Sequence, residues 1–238
     1  PTTLADEVFL PARGGSLQAE MLAGARRHGA VATQIPGTLD AVLREVAAGH
    51  VVAVMQNLGL SFAPRWHYAV VVGYELDAGE VLLRSGSTQR DRMLMRTFEH
   101  TWARSGFWAF VALPPGQWPL TAQETAVVEA AVGFERSATP AQALRTYGSA
   151  VQRWPGNLTL AIGLGNAAYA SGDKRRAAEV FRAAAERHDS AAAWVNLATV
   201  LLELGEHDAA ITAAQRAVND VAWGAQAREV LAQATRRP

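Results

Sequence analysis

The chain contains no cysteine. That absence removes disulfide bridges, thiolate metal ligands and any thiol nucleophile at once. It also leaves the cellular compartment open, because neither a bridge nor a free thiol is there to place it. An excess of charge of one sign is lacking too: Lys+Arg and Asp+Glu both number 22. The balance holds along the chain, with ten of each in residues 1–119 and twelve of each beyond. No basic face is implied, so a nucleic-acid partner has no electrostatic support. No apolar run reaches the roughly 18 residues that a membrane span requires. The histidines at 28, 50, 100, 188 and 207 show no metal-ligand spacing, and no metal or cofactor is expected. No Gly-x-Ser-x-Gly elbow occurs, which disfavours a serine hydrolase. The opening residues Pro1 to Glu7 do not form a signal peptide and do not begin with Met, so a processed or truncated piece is expected.

Half of the residues are hydrophobic, enough for the core of one large domain or two small ones. Residues 1–118 and 119–238 differ in texture, and a domain boundary is expected between them. In the first part, Ser16 is placed to cap a helix over Leu17–His28, closed by Gly29. Pro36, Gly37 and Thr38 form a turn and cap for a second helix, Leu39–Ala48, ended by Gly49. Val51–Met55 is a continuous apolar run and reads as a buried strand. A hairpin follows, His67–Leu76 and Val81–Ser85, with its turn at Asp77-Ala78-Gly79. A strand at Arg92–Arg96, a short helix Phe98–Arg104 capped by Thr97, and a strand Trp108–Leu113 complete it, before a linker begins at Pro114-Pro115-Gly116. The strands are expected to form an antiparallel sheet.

Residues 120–238 are Ala-rich, helical in pattern and repetitive. Tyr147, Ala150 and Pro155 sit 34 residues before Phe181, Ala184 and Asp189, and Ala143 sits 34 before Ala177. This is similar to the tetratricopeptide pattern, a helix pair with small residues at the crossing and an aromatic in the second helix. Three units are expected, near 124–156, 158–189 and 191–219, with Ala222–Arg236 as a capping helix. Asn166, Tyr169 and Asn196 are candidate peptide-binding residues in the groove of such a stack; the alternative is packing between helices.

Three stretches carry a further resemblance: Leu10 to Gln18, Trp66 to Gly73 and Phe98 to Trp108. With the order of elements over residues 8–113, they resemble bacterial double-glycine, bacteriocin-processing cysteine peptidases joined to tetratricopeptide repeats. The resemblance implies an α+β papain-like domain, here partial, followed by an all-α tetratricopeptide repeat domain. It makes His67 the general base and Ser85 the acceptor that orients its ring, where Asp or Asn usually stands. The helix bearing the nucleophilic Cys would lie before Pro1. Export is implied if such an N-terminal segment has been removed. Serine can accept a hydrogen bond but stabilises an imidazolium less than a carboxylate does. Asp77, at the hairpin tip, reads as a turn residue. Ser61, the hydroxyl nearest His67 in sequence, lacks a helix N-terminus to activate it. Gln56, Asn57 and Trp66 are candidate cleft-lining residues, with a plain strand-end loop as the alternative for the first two. Arg84 either meets a substrate carboxylate or stays solvated.

Two functions follow. One is a thiol-dependent peptidase in a complete parent, inactive as this chain. The other is a non-catalytic scaffold that binds a peptide or protein through the repeat groove.

Overall fold

The computed structural model describes residues 7–8, 15–60, 62–86 and 88–236. Most of the stretch Leu10 to Gln18 and all of Ser61 therefore lie outside the described residues. The chain divides into two compact units, one ending at Ser137 and the other beginning at Ala138.

The first unit is built on a six-stranded sheet in the order β1-β6-β2-β3-β4-β5. Its strands are β1 (Val31–Gln34), β2 (Val52–Asn57), β3 (Trp66–Glu75), β4 (Glu80–Ser85), β5 (Thr88–Leu94) and β6 (Ala109–Leu113). Every pairing is antiparallel. Helices α1 (Gln18–Arg27), α2 (Leu39–Ala47), α3 (Met95–Ala103) and α4 (Glu124–Glu135) surround it. The alternation of β2, β3 and β4 sends two sets of side chains to opposite faces. One face carries Val52, Val54, Ala69, Val71, Val81 and Leu83, packed with Phe98 and Trp102 of α3 and with α2. The other carries Met55, Tyr68, Trp108 and Phe110, packed with Met21, Leu22 and Ala25 of α1.

Several local expectations need correction. Ser16 does not cap α1: Leu17 is the cap residue and no side chain bonds the first turn. The Ser16 carbonyl instead accepts from the Tyr68 hydroxyl at 3.0 Å. Thr38 does cap α2, its Oγ1 accepting from the Ala41 amide at 3.2 Å. Val51 is 53 % exposed and stands outside the sheet, so β2 starts one residue later. The expected strand at 92–96 is displaced: β5 ends at Leu94, and α3 begins at Met95 without help from Thr97. Pairing decides this, because Glu80, Val81 and Leu82 face Leu94, Met93 and Arg92, which exhausts β4. The short strand β1 was not expected at all. It pairs with β6, Val31 opposite Leu113.

Helix α4 packs against β1 and α1, so it belongs to the sheet unit rather than to a first repeat. Gly133 faces the Arg26 guanidinium there, 2.3 Å from where a Cβ would stand.

The second unit is all helical: α5 (Pro140–Arg153), α6 (Leu158–Ala170), α7 (Lys174–His188), α8 (Ala191–Glu203), α9 (His207–Gln215) and α10 (Gly224–Thr235). Side-chain caps punctuate it. Thr139 and Gln142 form a reciprocal capping box with Pro140 at the first helical position. Asn157, Asp173 and Ser190 each accept from an amide three residues on. Each helix packs on the next, and α10 also reaches α8. Two glycines in α6 explain the close crossings. A Cβ at Gly163 would meet the Tyr147 ring of α5 at 2.3 Å, and one at Gly165 would meet the Phe181 ring of α7 at 2.4 Å. One helix thus takes a large aromatic from each neighbour, on different sides. Tyr147 and Phe181 are the pair whose 34-residue spacing marks the repeat in the sequence.

Candidate functional site

The hairpin β3–β4 brings His67 and Ser85 together. Ala69 pairs with Ser85, which sets His67 diagonally across from it on the same face of the sheet. His67 Nε2 lies 2.8 Å from Ser85 Oγ. This is the face that carries Leu83, Phe98 and Trp102. Neither side chain is fully buried. Among the described residues no carboxylate pairs with His67. A proton moving from Ser85 to the ring would create a serine alkoxide and an imidazolium that no carboxylate stabilises. Arg84 points away as an exposed residue, and Asp77 is an exposed turn residue at the far end of the hairpin.

Gln56 sits opposite His67 in β2. It does not line a cleft: it is 1 % exposed, and its Nε2 donates to Thr101 Oγ1 of α3 at 2.7 Å. Asn57 is buried as well. Its Oδ1 accepts from the amides of Gly59 and Arg65, both at 2.9 Å, closing the loop between β2 and β3. Both side chains are consumed in holding the strand ends, which corrects their assignment as cleft residues. Trp66 does line a cleft, but on the other face of the sheet from His67. That cleft has a volume of about 970 Å³ and lies between the start of α1 and the ends of β2 and β3.

In the second unit, Asn166 and Tyr169 are exposed on α6, three residues apart and so on one side of the helix. The Tyr169 hydroxyl reaches across to α8, at 2.8 and 3.0 Å from the two carboxylate oxygens of Glu203. Lys174 Nζ of α7 lies 3.0 Å from the same carboxylate. These contacts pull Glu203 below the usual carboxylate range, the Tyr169 hydrogen bond first and the Lys174 one second. The same bond raises the Tyr169 phenol. Asn196, half-buried, stands seven residues before Glu203 and therefore on the same side of α8. Asn166, Tyr169, Glu203 and Asn196 thus form one strip across α6 and α8, bridged by the Tyr169–Glu203 bond. Tyr169 and Glu203 are themselves 34 residues apart, the period of the repeat. Glu203 and Lys174 were missed in the sequence, although adding one period to Tyr169 would have found Glu203.

Thr101, which holds Gln56, and Glu45 were also missed. Glu45 is fully buried and bonds to His50 Nδ1 at 2.7 Å and to the Thr121 amide and hydroxyl at 2.6 and 2.7 Å. No group of three or more His, Asp or Glu placed to hold a metal occurs among the described residues. No described helix is long and apolar enough to cross a membrane.

These features define an α+β unit with an antiparallel sheet and a helical unit of regularly repeating hairpins. Residues 162–227 match the family model described as tetratricopeptide repeat, so the match lies wholly within the second unit. Among solved structures, the type III secretion chaperone SycD of Yersinia enterocolitica, in complex with a peptide of the translocator YopD, is similar at 16 % identity and a TM-score of 0.43. That similarity covers 46 % of this chain and 89 % of the chaperone chain. A thermophilic tetratricopeptide repeat protein of Thermus thermophilus is similar at 22 % identity and a TM-score of 0.38, covering 47 % of this chain and 62 % of its own. No curated protein matches the chain. The second unit carries tetratricopeptide repeats, while nothing in these matches extends a peptidase identity to the first.

Proposed function

We propose that the chain is a non-catalytic scaffold that binds a peptide or protein segment through its tetratricopeptide repeats. The observation that supports this best is the strip Asn166, Tyr169, Glu203 and Asn196, tied across α6 and α8 by the Tyr169–Glu203 hydrogen bond. A carboxamide both donates and accepts, so Asn166 and Asn196 suit the backbone of a bound segment. The Lys174–Glu203 pair supplies no net charge and fixes the Tyr169 ring as a rigid contact. The test is a screen of the full chain against a peptide array, followed by titration of the selected peptide. Changing Asn166 and Asn196 together to Ala removes two hydrogen bonds of about 1 kcal/mol each and should weaken binding by roughly tenfold or more. Unchanged affinity removes the strip from the function.

A second reading concerns the sheet unit, and the His67–Ser85 contact favours it. In this reading the unit is a papain-like scaffold with His67 as the former base and Ser85 as its orienting partner. With no cysteine in the chain there is no thiolate to attack a peptide bond. The full chain should leave a peptide with a Gly-Gly site uncut; turnover sensitive to His67→Ala would instead establish a catalytic role.

A further inference from the structure

The cleft on the α1 face of the sheet plays no part in the function proposed above. Its walls are Leu17, Met55, Pro64, Trp66 and Tyr68. They are held in place: Tyr68 donates to the Ser16 carbonyl at 3.0 Å, and Gln18 Nε2 lies 3.9 Å from Met55 Sδ. A volume of about 970 Å³ is large for a small-molecule pocket, which typically spans roughly 300–1,000 Å³. The apolar surface also continues past the cleft along the segment between β2 and β3. Leu58, Leu60, Phe62 and Trp66 are 46, 55, 83 and 54 % exposed, and Leu17 across the cleft is 42 % exposed. Scattered single apolar residues need no explanation, but such a concentration on one connection does.

Charge narrows the occupant. Between Glu45 and Glu75 the sequence holds no acidic residue. Arg65 lines the cleft. Arg104 of the α3 end donates to the carbonyls of Gly59 at 2.5 Å and Asn57 at 3.5 Å, which fixes a second cation against the same connection. We infer that this cleft and its rim bind a partner peptide with apolar side chains flanked by acidic residues: the apolar residues cover Trp66, Leu17 and Phe62, and the acidic flank meets Arg65 and Arg104. A small apolar molecule would fill the cleft and leave Leu60 and Phe62 bare, so a peptide accounts for more of the surface.

The probe is a set of three fluorescein-labelled peptides of about twelve residues. They share one apolar pattern of Leu and Phe and carry Glu, Gln or Lys at the intervening positions. Anisotropy is read on the full chain. The Glu version should bind tightest, and its affinity should fall with added salt. Trp66→Ala should weaken it at least about tenfold, as loss of an aromatic anchor does. Arg65→Glu should weaken the Glu version and strengthen the Lys version. Phe62→Ser, at a side chain too exposed to matter for folding, gives a second reading that a misfolded Trp66→Ala could not supply. Asn166→Ala with Asn196→Ala should leave this binding unchanged, which separates it from the repeat groove. Equal binding of the three peptides, or indifference to both Trp66→Ala and Phe62→Ser, overturns the proposal. So does association of the chain with phosphatidylglycerol vesicles in place of the peptide, or a homodimer in light scattering that Trp66→Ala dissolves.

Discussion

Glu45→Ala should be among the most damaging single substitutions in the sheet unit. The side chain is fully buried and joins α2 to the segment leading into α4. Its two oxygens take three hydrogen bonds, from His50 Nδ1, the Thr121 amide and the Thr121 hydroxyl. Removing the carboxylate strips all three donors of their partner and leaves a small cavity. A buried donor left without its acceptor costs about 1–3 kcal/mol, so losing three such bonds takes a large share of the roughly 5–15 kcal/mol that a domain has. Thr121→Ala deletes the hydroxyl bond alone and should cost about 1 kcal/mol. The two changes should not add, because they share a contact. With two units in the chain, one unfolding midpoint is not sufficient, so hydrogen exchange at the Thr121 amide should be read beside the urea titration. Loss of protection at Thr121 is the expected local signature. The effect also depends on pH. Burial pushes the Glu45 carboxyl up, but the bonds from His50 and from Thr121 and Leu120 outweigh it and hold the pKa below the usual range. A carboxylate with a depressed folded pKa stabilises above its unfolded value, near 4.3, and that stability is lost as pH falls through the folded value. The stability gap between the parent chain and Glu45→Gln should therefore be constant near pH 7 and shrink below about pH 4. A Glu45→Ala chain with unchanged urea midpoint and unchanged Thr121 exchange would refute the reasoning.

Gly165→Ala should destabilise the repeats by about 1–3 kcal/mol, because its Cβ would lie 2.4 Å from the Phe181 ring; a helix-propensity gain and no loss in thermal denaturation would contradict that crossing. Tyr169→Phe should abolish one high-pH step in a tyrosine absorbance titration, since the Glu203 hydrogen bond raises that phenol. Tyr68→Phe should abolish another, since burial raises that one. Ser85→Ala removes the Nε2 partner of His67 and should cost only about 0.5–1.5 kcal/mol, with no change in peptide binding by the repeats.

Much of this architecture was legible in the sequence where local pattern and tertiary demand agree. The 34-residue echo of Tyr147 in Phe181 located α5 to α9, because both aromatics seat against glycines of α6, the helix between them. The His67–Ser85 approach followed from a hairpin with its turn at Asp77 to Gly79. Long-range pairing was not legible. Four-residue β1 is too short for a periodic signal and exists because β6, far along the chain, lies beside it. Edge strand β5 carries Arg90, Asp91 and Arg92, the charged pattern of a solvent-facing edge, so its start did not read as strand. Helix α4 has the apolar character of a repeat helix and was assigned to one, whereas packing on β1 claims it. Gln56 and Asn57 read as cleft residues because polar side chains at a strand end often are. Their partners, Thr101 on α3 and the amides of Gly59 and Arg65, are set only by the fold.

The most direct test of the binding account is hydrogen exchange on the full chain, with and without a saturating peptide selected from the array. Peptide should slow exchange in α6 (Leu158–Ala170) and α8 (Ala191–Glu203), around Asn166, Tyr169 and Asn196, and the Asn166→Ala, Asn196→Ala chain should lose that protection. Protection confined to the sheet unit, with α6 and α8 exchanging as in the free chain, would contradict a function carried by the repeats.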